Sequence, residues 1–598
     1  MEKCVYKNIS KSEMDYAVKV AENIKADPRK FVKYKESRPI VNIKHMIETS
    51  VDLYGENVAY YEKGPSKTYE ATTYAQMLDD VYAFGTALID LGLKDKKIAV
   101  IGNNSTKWAD SYLAVVCGTG IVVPLDKELS AESLESLIKQ SGCSAVIFDK
   151  KYEKTFAQIK AKEDNELEIL INMKAEEDTE VSLSWTALRD RGAQLVKQGD
   201  RRFLDAEIDR DKMSILLFTS GTTGVSKGVM LSHGNIVEDL MAAPTILEVR
   251  SDDVFFSVLP VHHTYECTCG FLMPLYKGAA IAYCEGLKHI TKNLAEIKPT
   301  MFLGVPALFE TLHKKIWQNI RKQNKESLVK AVMKVNAVTK KIGLDLGDIF
   351  FKDIRAVFGG NMRLMICGGA AIDPAVLNGI NAFGIKALQG YGLTECAPLA
   401  ALNPDTAPNP SSIGVEFPGI KVEIRDANEE GIGEICVKGP NIMLGYYNMP
   451  ELTAETVVDG WFKTGDLGYM DDKGYVFITG RKKNVIITKN GKNVYPEEVE
   501  YKLNLSNIVM ESMVFQEEAT FKNDDKIAAS IVVDMEAVEE FYGKDMEFEQ
   551  VEKLINEVVE EYNSTAPGYA QIKSVKVRKE PLLKNTSKKI IRFAEENK

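Results

Sequence analysis

Short apolar segments alternate with amphipathic helical segments from about residue 38 to residue 480. The apolar part of KKIAVIGNN is followed by the helical pattern KWADSYLAVVCG, and IVVPLD is followed by AESLESLIKQSG. This alternation is typical of α/β domains with mostly parallel sheets. It predicts a large N-terminal α/β domain over residues 38–481, preceded by an N-terminal extension at residues 1–37. A lysine-rich helical stretch at about residues 309–345 interrupts the pattern and is expected to be a surface insertion.

The pattern changes after Gly480. The segment NVIITKNGKNVYPEEVEYKLN predicts a strand, a turn at Asn490 and Gly491, a second strand, and a helix that begins near Pro496. KIAASIVVD, MEFEQVEKLINEVVEEYN and IKSVKVRK then predict a further strand, helix and strand. We therefore expect a small α+β C-terminal domain over residues 482–598.

Composition excludes several classes of protein. A chain of 598 residues exceeds what a single hydrophobic core usually supports, so two or more domains are expected. The net charge of −11 argues against a general nucleic-acid-binding protein. The nine cysteines include no CxxC pair and are expected to be reduced. Because the N-terminus has no apolar signal segment and glycine and proline interrupt the apolar stretch 112–125, a cytoplasmic location is expected.

Three apolar strands run directly into glycine-rich loops. MSILLF leads into TSGTTGVSKG (219–228), RLMIC into GGAAI (368–372), and IKAL into QGYGLTE (389–395). In open α/β sheets, ligands bind outside the carboxyl ends of the strands. The three loops therefore predict one shared ligand pocket.

The first loop has the chemistry of a phosphate-binding loop. Glycines let backbone N–H groups surround an anion, hydroxyl groups add donors, and Lys227 adds a positive charge. The hydroxyl groups and glycines are those of Ser220, Thr222, Thr223, Ser226, Gly221 and Gly224. A Walker A loop needs glycine directly before the lysine, whereas Ser226 stands there, so ordinary P-loop chemistry is disfavoured. The loop is thus suited to a triphosphate without being a Walker A loop.

The third loop combines three functional groups. Tyr391 offers an aromatic face for a purine, Thr394 offers a hydroxyl group for a phosphate, and Glu395 offers a carboxylate. A carboxylate near phosphates is useful when it holds Mg²⁺ against them.

Five segments in order resemble the successive motifs of the AMP-forming acyl-CoA synthetase family. They are TSGTTGVSKG, QGYGLTE, GEICVKGPNIMLGYY, WFKTGDLG and GRKKNVIITKNGKNVYPEEVE, and the resemblance covers about residues 45–593. LPVHHTYE (259–266), KPTMFLGVPALFE (298–310) and GGNMRLMICGGAAID are most similar to long-chain fatty-acid–CoA ligases. The resemblance implies activation of a fatty acid by ATP to an acyl adenylate with release of pyrophosphate, followed by transfer to coenzyme A.

The resemblance also implies a nucleotide site. The residues that it assigns to this site are Thr219, Ser220, Gly221, Thr222, Thr223, Gly224, Lys227, Gly368, Gly369, Ala370, Gln389, Gly390, Tyr391, Gly392, Leu393, Thr394, Asp466, Arg481 and Lys589. Among them, Asp466 is expected to accept hydrogen bonds from both ribose hydroxyls, which suits an acceptor-only carboxylate. Arg481 is expected to contact the ribose or a phosphate, and Thr222 and Glu395 are the implied Mg²⁺ ligands.

Catalytic roles are implied for His263, Thr394, Glu395 and Lys589. His263 is expected at the acyl carboxylate, with the adjacent His262 as the alternative. Lys483 is the implied hinge of a rotating C-terminal domain. Gly491 is the implied residue on the coenzyme A side.

The terminal segment KNTSKKIIR resembles the family pattern K-T-S-T-G-K-I-x-R, in which the lysine before the isoleucine enters the active site during adenylation. That lysine is Lys589 here, and Lys588 replaces the usual glycine. Residues 571–593 contain eight Lys or Arg and one Glu, a positive segment in an acidic chain. Such charge suits an element that approaches ATP.

The implied substrates and cofactors are a fatty acid, ATP, Mg²⁺ and coenzyme A. Medium-chain or aryl acids, and transfer to a carrier-protein phosphopantetheine, are the alternative enzymatic readings. A non-catalytic acyl or nucleotide sensor would be expected to lack some of Glu395, Asp466, Arg481 and the terminal lysine, all of which are present. Nucleic acid is not an expected partner, peripheral membrane contact is compatible with a long-chain substrate, and the sequence leaves the oligomeric state open.

Overall fold

The computed structural model describes residues 8–219, 226–341, 350–488, 492–517, 526–544, 546–584 and 590–598. Contacts along the chain divide it into two compact units. The first consists of Met1–Val422 with Val437–Phe462, and the second of Glu423–Cys436 with Lys463–Lys598. The boundaries after residues 37 and 481 that the sequence suggests remain predictions.

Strands are numbered along the chain, and those of the first unit lie mainly in two eight-stranded sheets. The first sheet contains β1 (Val58–Lys63), β2 (Tyr69–Thr73), β10 (Val254–Ser257), β11 (Ala280–Tyr283), β12 (Met301–Gly304), β13 (Leu364–Cys367), β14 (Lys386–Gly392) and β15 (Leu399–Leu402). Its order is β15-β14-β13-β12-β10-β11-β1-β2. All of its neighbouring strands are parallel except the two outer pairs, β14–β15 and β1–β2.

The second sheet has the order β18-β9-β8-β4-β3-β5-β6-β7. It contains β3 (Lys97–Ile101), β4 (Ile121–Pro124), β5 (Ala145–Phe148), β6 (Ile169–Asn172), β7 (Leu183–Ser184), β8 (Met213–Thr219), β9 (Lys227–Ser232) and β18 (Gly445–Tyr446). Strands from β8 to β7 are parallel, and β9 pairs antiparallel with both β8 and β18.

Helices connect these strands. The helices of the first unit are α1 (Lys11–Ala26), α2 (Ile43–Tyr54), α3 (Tyr74–Asp90), α4 (Thr106–Ala114), α5 (Ala131–Ser141), α6 (Glu153–Lys160), α7 (Trp185–Lys197), α8 (His233–Ala242), α9 (Met273–Lys277), α10 (Ile290–Ile297), α11 (Pro306–Lys322), α12 (Glu326–Lys341), α13 (Lys352–Ala356), α14 (Pro374–Ala382) and α15 (Pro450–Thr456). Within the described residues, no helix has both the length and the apolar character needed to cross a membrane.

The burial of the central strands explains their continuous apolar sequences. Every residue of β5, β12 and β13 is buried. A parallel strand that is covered on both faces is expected to be a continuous apolar run, as AVIF and LMIC are. The predicted α/β fold with mostly parallel sheets is confirmed.

The lysine-rich stretch differs from the expectation. It forms two helices, α11 and α12, rather than one surface insertion, and they are separated at residues 323–325. Phe309, Leu312, Ile316 and Ile320 of α11 are buried in a core cluster with residues of β12 and β13. Their spacing of three and four residues places them on one helix face. Because the lysines lie on the other face of the helix, the high lysine content suggested a surface element although this apolar face is buried.

The second unit contains a small α+β fold, as predicted. Its elements, with the sheet strands that lead into it, are β16 (Lys421–Arg425), β17 (Gly433–Lys438), β19 (Val457–Val458), β20 (Trp461–Met470), β21 (Val476–Arg481), β22 (Ile486–Ile487), β23 (Asn493–Val494), α16 (Pro496–Asn504), β24 (Val509–Glu517), β25 (Lys526–Val533), α17 (Met535–Tyr542), α18 (Phe548–Thr565) and β26 (Ser574–Arg578). Strands β22 and β23 pair antiparallel, which confirms the predicted strands of this hairpin, while its predicted turn residues, Asn490 and Gly491, lie outside the described residues. Strand β24, at the edge of the sheet β24-β25-β26, is an element that the sequence patterns missed.

A buried ion pair near the C-terminus gives a test of this unit's stability. Glu500 on α16 is 7% exposed and accepts hydrogen bonds from both terminal nitrogens of Arg592, at 2.8 and 2.5 Å, and from the Val514 N–H at 2.6 Å. Replacing Arg592 with methionine leaves the carboxylate buried without its cation. We expect this change to lower the free energy of unfolding by about 3–5 kcal/mol in urea titrations.

The matched control is the double variant Arg592→Met with Glu500→Gln. It removes both charges and keeps an acceptor for the Val514 N–H, so we expect it to recover much of the lost stability. A single variant as stable as the wild-type chain would contradict the importance of this ion pair.

Candidate active site

Two of the glycine loops follow neighbouring parallel strands. Cys367 at the end of β13 is directly opposite Gln389 in β14, so GGAAI and QGYGLTE begin side by side at one edge of the first sheet. Gly368 is buried, whereas Gly369 and Ala370 are exposed. The predicted convergence of these two loops therefore follows from the strand register.

The segment after β10 joins the same two loops. The Thr264 hydroxyl lies 3.4 Å from the Thr394 hydroxyl. The Tyr265 hydroxyl donates to the Ile366 carbonyl at 2.9 Å, and a Cβ at Gly368 would lie only 2.9 Å from Cζ of Tyr265. Since an ordinary side chain at Gly368 would collide with this ring, glycine is required there. LPVHHTYE is thus held against both loops.

Tyr446 is a residue of this region that the sequence analysis did not single out. Its hydroxyl donates to Oε1 of Glu395 at 2.8 Å, and Nζ of Lys227 lies 5.2 Å from the centroid of its ring. Burial, followed by the nearby Glu395 carboxylate, raises the pKa of Tyr446, so the hydroxyl keeps its proton and remains a donor. One tyrosine therefore links the first glycine loop to the third.

The first glycine loop connects the two strands of a β-hairpin. Thr219 at the end of β8 is opposite Lys227 at the start of β9, and the Thr219 hydroxyl lies 3.5 Å from the Lys227 carbonyl oxygen. The predicted phosphate-binding residues between them, Ser220 to Gly224, lie outside the described residues. The structure thus places the two ends of this loop.

A buried hydrogen-bond network holds the residues that directly follow the third loop. The Asn441 side-chain amide donates to Oδ1 of Asp239 at 3.0 Å and to the carbonyls of Cys396 and Leu399 at 2.8 and 2.6 Å. The Leu399 N–H donates to Oδ2 of Asp239 at 3.0 Å. Burial raises the pKa of Asp239 well above its usual range. Neither Asp239 nor Asn441 has a sequence spacing that would have identified it.

Close backbone contacts and one buried side-chain hydrogen bond shape the rest of the third loop. A Cβ at Gly392 would lie 2.0 Å from the Pro398 carbonyl oxygen, so the close approach of the backbone requires glycine. The Leu393 N–H donates to the same oxygen at 2.9 Å. The Gln389 side chain is buried and donates to the Ser412 carbonyl at 2.6 Å. Tyr391 is half-buried, and Gly390 lies in β14 against Leu402.

Asp466 and Arg481 lie in the second unit and pair with each other. They are partners in the antiparallel β20–β21 hairpin, and Nε of Arg481 lies 2.7 Å from Oδ1 of Asp466. The Asp466 side chain is 5% exposed, whereas that of Arg481 is 46% exposed. The Asp466 N–H also donates to the Thr464 hydroxyl at 3.0 Å. The carboxylate is therefore oriented by its own hairpin.

The predicted hinge lies in a short turn after this hairpin. Lys483 is exposed within the 3₁₀ turn Lys482–Asn484. Its neighbour Lys482 forms an ion pair with Glu434 at 2.7 Å, inside the second unit. The residue directly before the predicted hinge, Lys482, is therefore held by an ion pair.

The segment that contains the predicted catalytic lysine is anchored on both sides. Residues 585–589, including Lys588 and Lys589, lie outside the described residues. Lys584 and Ile590 form an antiparallel bridge, and Lys584 forms an ion pair with Glu511 at 2.5 Å. The buried Asn597 side chain bonds the N–H and carbonyl of Leu583 and the carbonyl of Ile591. These contacts hold the described residues on either side of 585–589.

The two adjacent histidines differ in their surroundings. His262 is 7% exposed, whereas His263 is half-buried. Burial, followed by the neighbouring His263 and Lys127, holds the pKa of His262 well below its usual range. Oδ1 of Asp126, which follows β4, lies 3.7 Å from Nε2 of His262.

Glu266 gives a prediction of pH dependence. Oε1 accepts a hydrogen bond from the Ser257 hydroxyl at 2.6 Å, and burial raises the pKa of Glu266 to about 8. Between pH 4.5 and 8 the folded chain therefore holds a proton that the unfolded chain releases. The stability that this group contributes should fall as pH rises through that window, by at most about 1.4 kcal/mol per pH unit.

Replacing Glu266 with glutamine should remove this contribution to the fall of stability with rising pH. We expect similar unfolding midpoints for the variant and the wild-type chain near pH 5, and a relatively more stable variant near pH 8. Glu163→Gln, at an exposed glutamate, is the matched control and should follow the wild-type profile. Parallel profiles for the Glu266 variant and the wild type would contradict the prediction.

Comparison with known families identifies the chain. A family model described as AMP-binding enzyme matches residues 47–447, which is more than half of the sequence. The chain belongs to the AMP-binding enzyme family. A second model, AMP-binding enzyme C-terminal domain, matches residues 483–597. These matches confirm the resemblance to adenylate-forming acyl-CoA synthetases.

This AMP-binding enzyme resembles long-chain acyl-CoA ligases in sequence. It is 29% identical over 469 residues to long-chain-fatty-acid–CoA ligase 6 of Mus musculus, a match that covers 73% of this chain and 66%, just under two thirds, of the mouse protein. It is 26% identical over 502 residues to long-chain-fatty-acid–CoA ligase FadD15 of Mycobacterium bovis, with 80% of each chain covered.

Solved structures with the same fold include other members of the family. The anthranilate CoA ligase AuaEII in complex with anthranoyl-AMP matches with a TM-score of 0.73 at 20% identity, covering 92% of this chain and 96% of that chain. ATP-bound MatB from Rhodopseudomonas palustris matches with a TM-score of 0.71 at 24% identity, covering 92% and 97%. At these identities the likeness establishes the fold of this AMP-binding enzyme.

Proposed function

We propose that this chain is an ATP-dependent, AMP-forming ligase that joins a long-chain fatty acid to coenzyme A. The observation that carries the proposal is the convergence of three segments in the first unit. Thr264 of LPVHHTYE meets Thr394 of QGYGLTE, and Tyr265 packs on Gly368 of GGAAI. A segment suited to an acyl carboxylate therefore adjoins two segments suited to a nucleotide. The names of the similar ligases support a long-chain acid as the substrate.

The first step forms the acyl adenylate. A carboxylate oxygen of the fatty acid attacks the α-phosphorus of ATP, and the bond from that phosphorus to the bridging oxygen breaks, so that pyrophosphate leaves. Because two anions must approach each other, catalysis depends on positioning and on positive charge. In our proposal Thr394 donates to the α-phosphate, Lys227 and the loop before it hold the β- and γ-phosphates, and His263 faces the acyl carboxylate. The greater exposure of His263 than of His262 supports this choice.

Glu395 is suited to hold the magnesium ion of the nucleotide. Its Oε1 already accepts the Tyr446 hydroxyl, which orients the carboxylate, and carboxylates together with phosphate oxygens are usual Mg²⁺ ligands. When bound, Mg²⁺ neutralises negative charge on the phosphates. The other proposed ligand, Thr222, lies outside the described residues.

The second step transfers the acyl group. The coenzyme A sulfur attacks the acyl carbonyl carbon, the bond to the phosphate oxygen breaks, and AMP leaves as the thioester forms. We propose that Asp466 and Arg481 bind the ribose, that Lys483 is the hinge of a domain rotation between the two steps, and that Gly491 borders the coenzyme A path. Shielding the adenylate from water is the reason for such a rotation.

The test is ATP–pyrophosphate exchange across carboxylic acids from acetate to oleate. We expect exchange to be fastest with long-chain acids. Exchange only with short or aromatic acids would overturn the long-chain assignment. Thioester formation with a carrier protein but not with free coenzyme A would overturn the assignment of the acceptor, and absence of exchange with every acid would favour a sensor.

A further inference from the structure

Three potential metal ligands come together beside the segment LPVHHTYE. Asp126 follows β4 of the second sheet, and His262 and His263 follow β10 of the first sheet. One ligand atom from each residue lies within 4.8 Å of the other two. Oδ1 of Asp126 is 3.7 Å from Nε2 of His262, and the two imidazole rings have centroids 4.1 Å apart, tilted by 44°.

One nitrogen of the buried His262 imidazole, Nε2, has no hydrogen-bond partner within the part of the chain that the structure describes. This atom is fully buried, and the His262 side chain is only 8% exposed. Leaving a buried polar atom without a partner costs free energy, and such atoms are uncommon in folded proteins. A cation held between this nitrogen and the Asp126 carboxylate would satisfy both groups.

The segments that carry the three residues are fixed by their neighbours. The Asn104 side chain donates to the Leu259 carbonyl at 2.7 Å and accepts the Val261 N–H at 3.2 Å. The Glu128 N–H donates to Oδ1 of Asp126 at 2.9 Å. Supporting contacts of this kind orient the ligands of metal sites. The backbone on each side of the cluster is therefore held before any ion binds.

The donor set selects the class of metal. Two imidazoles and one carboxylate suit Zn²⁺ and related ions better than Mg²⁺, which prefers oxygen ligands. Zinc bonds of about 2.1 Å place tetrahedral ligands about 3.4 Å apart, so the pair Asp126–His262 needs to close by only a few tenths of an ångström. The remaining pairs of ligand atoms are at most 4.8 Å apart, so the proposal requires side-chain rotation to bring them closer. Three protein ligands leave one coordination position open.

We propose that Asp126, His262 and His263 form a binding site for a divalent transition-metal ion of the Zn²⁺ class, with a fourth position open to water. None of its three ligands is Glu395, the residue at which the Mg²⁺ position is proposed. One consequence rests on the proposed function: since His263 is proposed to face the acyl carboxylate, an ion at this site holds the imidazole and inhibits adenylation. The site is thus an inhibitory one.

Metal binding is tested with Co²⁺ and Zn²⁺ alone, in the full chain without ATP, Mg²⁺ or fatty acid. We expect each chain to bind one Co²⁺ and to show the intense visible absorption bands of low-coordinate cobalt. Adding Zn²⁺ should displace the Co²⁺ and abolish these bands. His262→Gln and Asp126→Asn should each weaken Co²⁺ affinity at least about tenfold, since each removes a ligand. His289→Gln, at an exposed histidine, is the matched control and should leave the affinity unchanged.

Asp126 is on a partly exposed loop, so Asp126→Asn provides a folded variant if the buried histidine change impairs folding, which circular dichroism will show. If both variants bound Co²⁺ with the wild-type affinity, the proposed site would be wrong. A thiolate-to-cobalt charge-transfer band would also overturn it, because the ion would then be bound by cysteine.

Inhibition is tested separately, by pyrophosphate exchange with excess Mg²⁺ and ATP. We expect Zn²⁺ to inhibit competitively with the fatty acid, and Asp126→Asn to need at least about tenfold more Zn²⁺ for the same inhibition. Inhibition equal in Asp126→Asn and the wild type would overturn the inhibitory role. Because the binding assay contains no substrate, its result stands even if the chain activates some other acid or none.

Discussion

Replacing Lys589 with alanine is expected to slow pyrophosphate exchange at least about a hundredfold, while thioester formation from a synthetic acyl adenylate and coenzyme A is largely preserved. The reason is that a lysine between the acyl carboxylate and the α-phosphate is needed only while two anions approach each other. Once the adenylate exists, its mixed anhydride is already activated. The two half-reactions therefore separate a catalytic role from a general loss of folding, which would slow both.

The residues on either side of 585–589 are held by ion pairs. On one side Lys584 is paired with Glu511, and on the other Arg592 is paired with the buried Glu500. Lys588→Ala is the matched control, since it removes an adjacent positive charge, and we expect a much milder effect. If Lys589→Ala left pyrophosphate exchange intact, or if Lys588→Ala had the larger effect, the assignment of Lys589 would be wrong.

Replacing Glu395 with glutamine is expected to reduce pyrophosphate exchange by about 10²–10³-fold and to raise the Mg²⁺ concentration needed for half-maximal rate. Glutamine keeps the size of the side chain and an acceptor for the Tyr446 hydroxyl, but it removes the charge that holds the cation. The measurement is a Mg²⁺ titration of exchange at saturating ATP and fatty acid.

Tyr446→Phe tests how the carboxylate is oriented. It removes the hydrogen bond of 2.8 Å to Oε1 and leaves the charge of Glu395, so we expect a smaller loss, about tenfold. Glu451→Gln, at an exposed glutamate of the first unit, is the control and should behave as the wild type. An unchanged Mg²⁺ requirement in Glu395→Gln would contradict the metal-binding role.

Local patterns in the sequence were sufficient to predict the fold class. Runs such as LMIC are continuous and apolar because parallel strands are covered on both faces, and LMIC is followed directly by Gly368. The hairpin β22–β23 was predictable from two short strands around an Asn-Gly pair. Strand β24 was missed because VMESMVFQE carries polar residues that conceal the strand pattern.

For the lysine-rich stretch, composition led to the wrong prediction of a surface insertion. Its surface charge indicated an insertion, yet α11 buries Phe309, Leu312, Ile316 and Ile320. Long charged side chains and a buried apolar stripe coexist on one helix because they occupy different faces. The period of the apolar residues was the better guide than the number of lysines.

By itself the sequence determined the α/β architecture, the three glycine loops and the family motifs, because each of these depends on residues that are close together in the chain. Only the tertiary structure decided that Tyr446 connects Glu395 and Lys227, that Asn441 holds Asp239, and that Asp126 meets His262. Those partners are separated by about fifty to more than two hundred residues, and no spacing along the chain encodes such a meeting. It is the register of the strands and the packing of the two sheets that bring their side chains together.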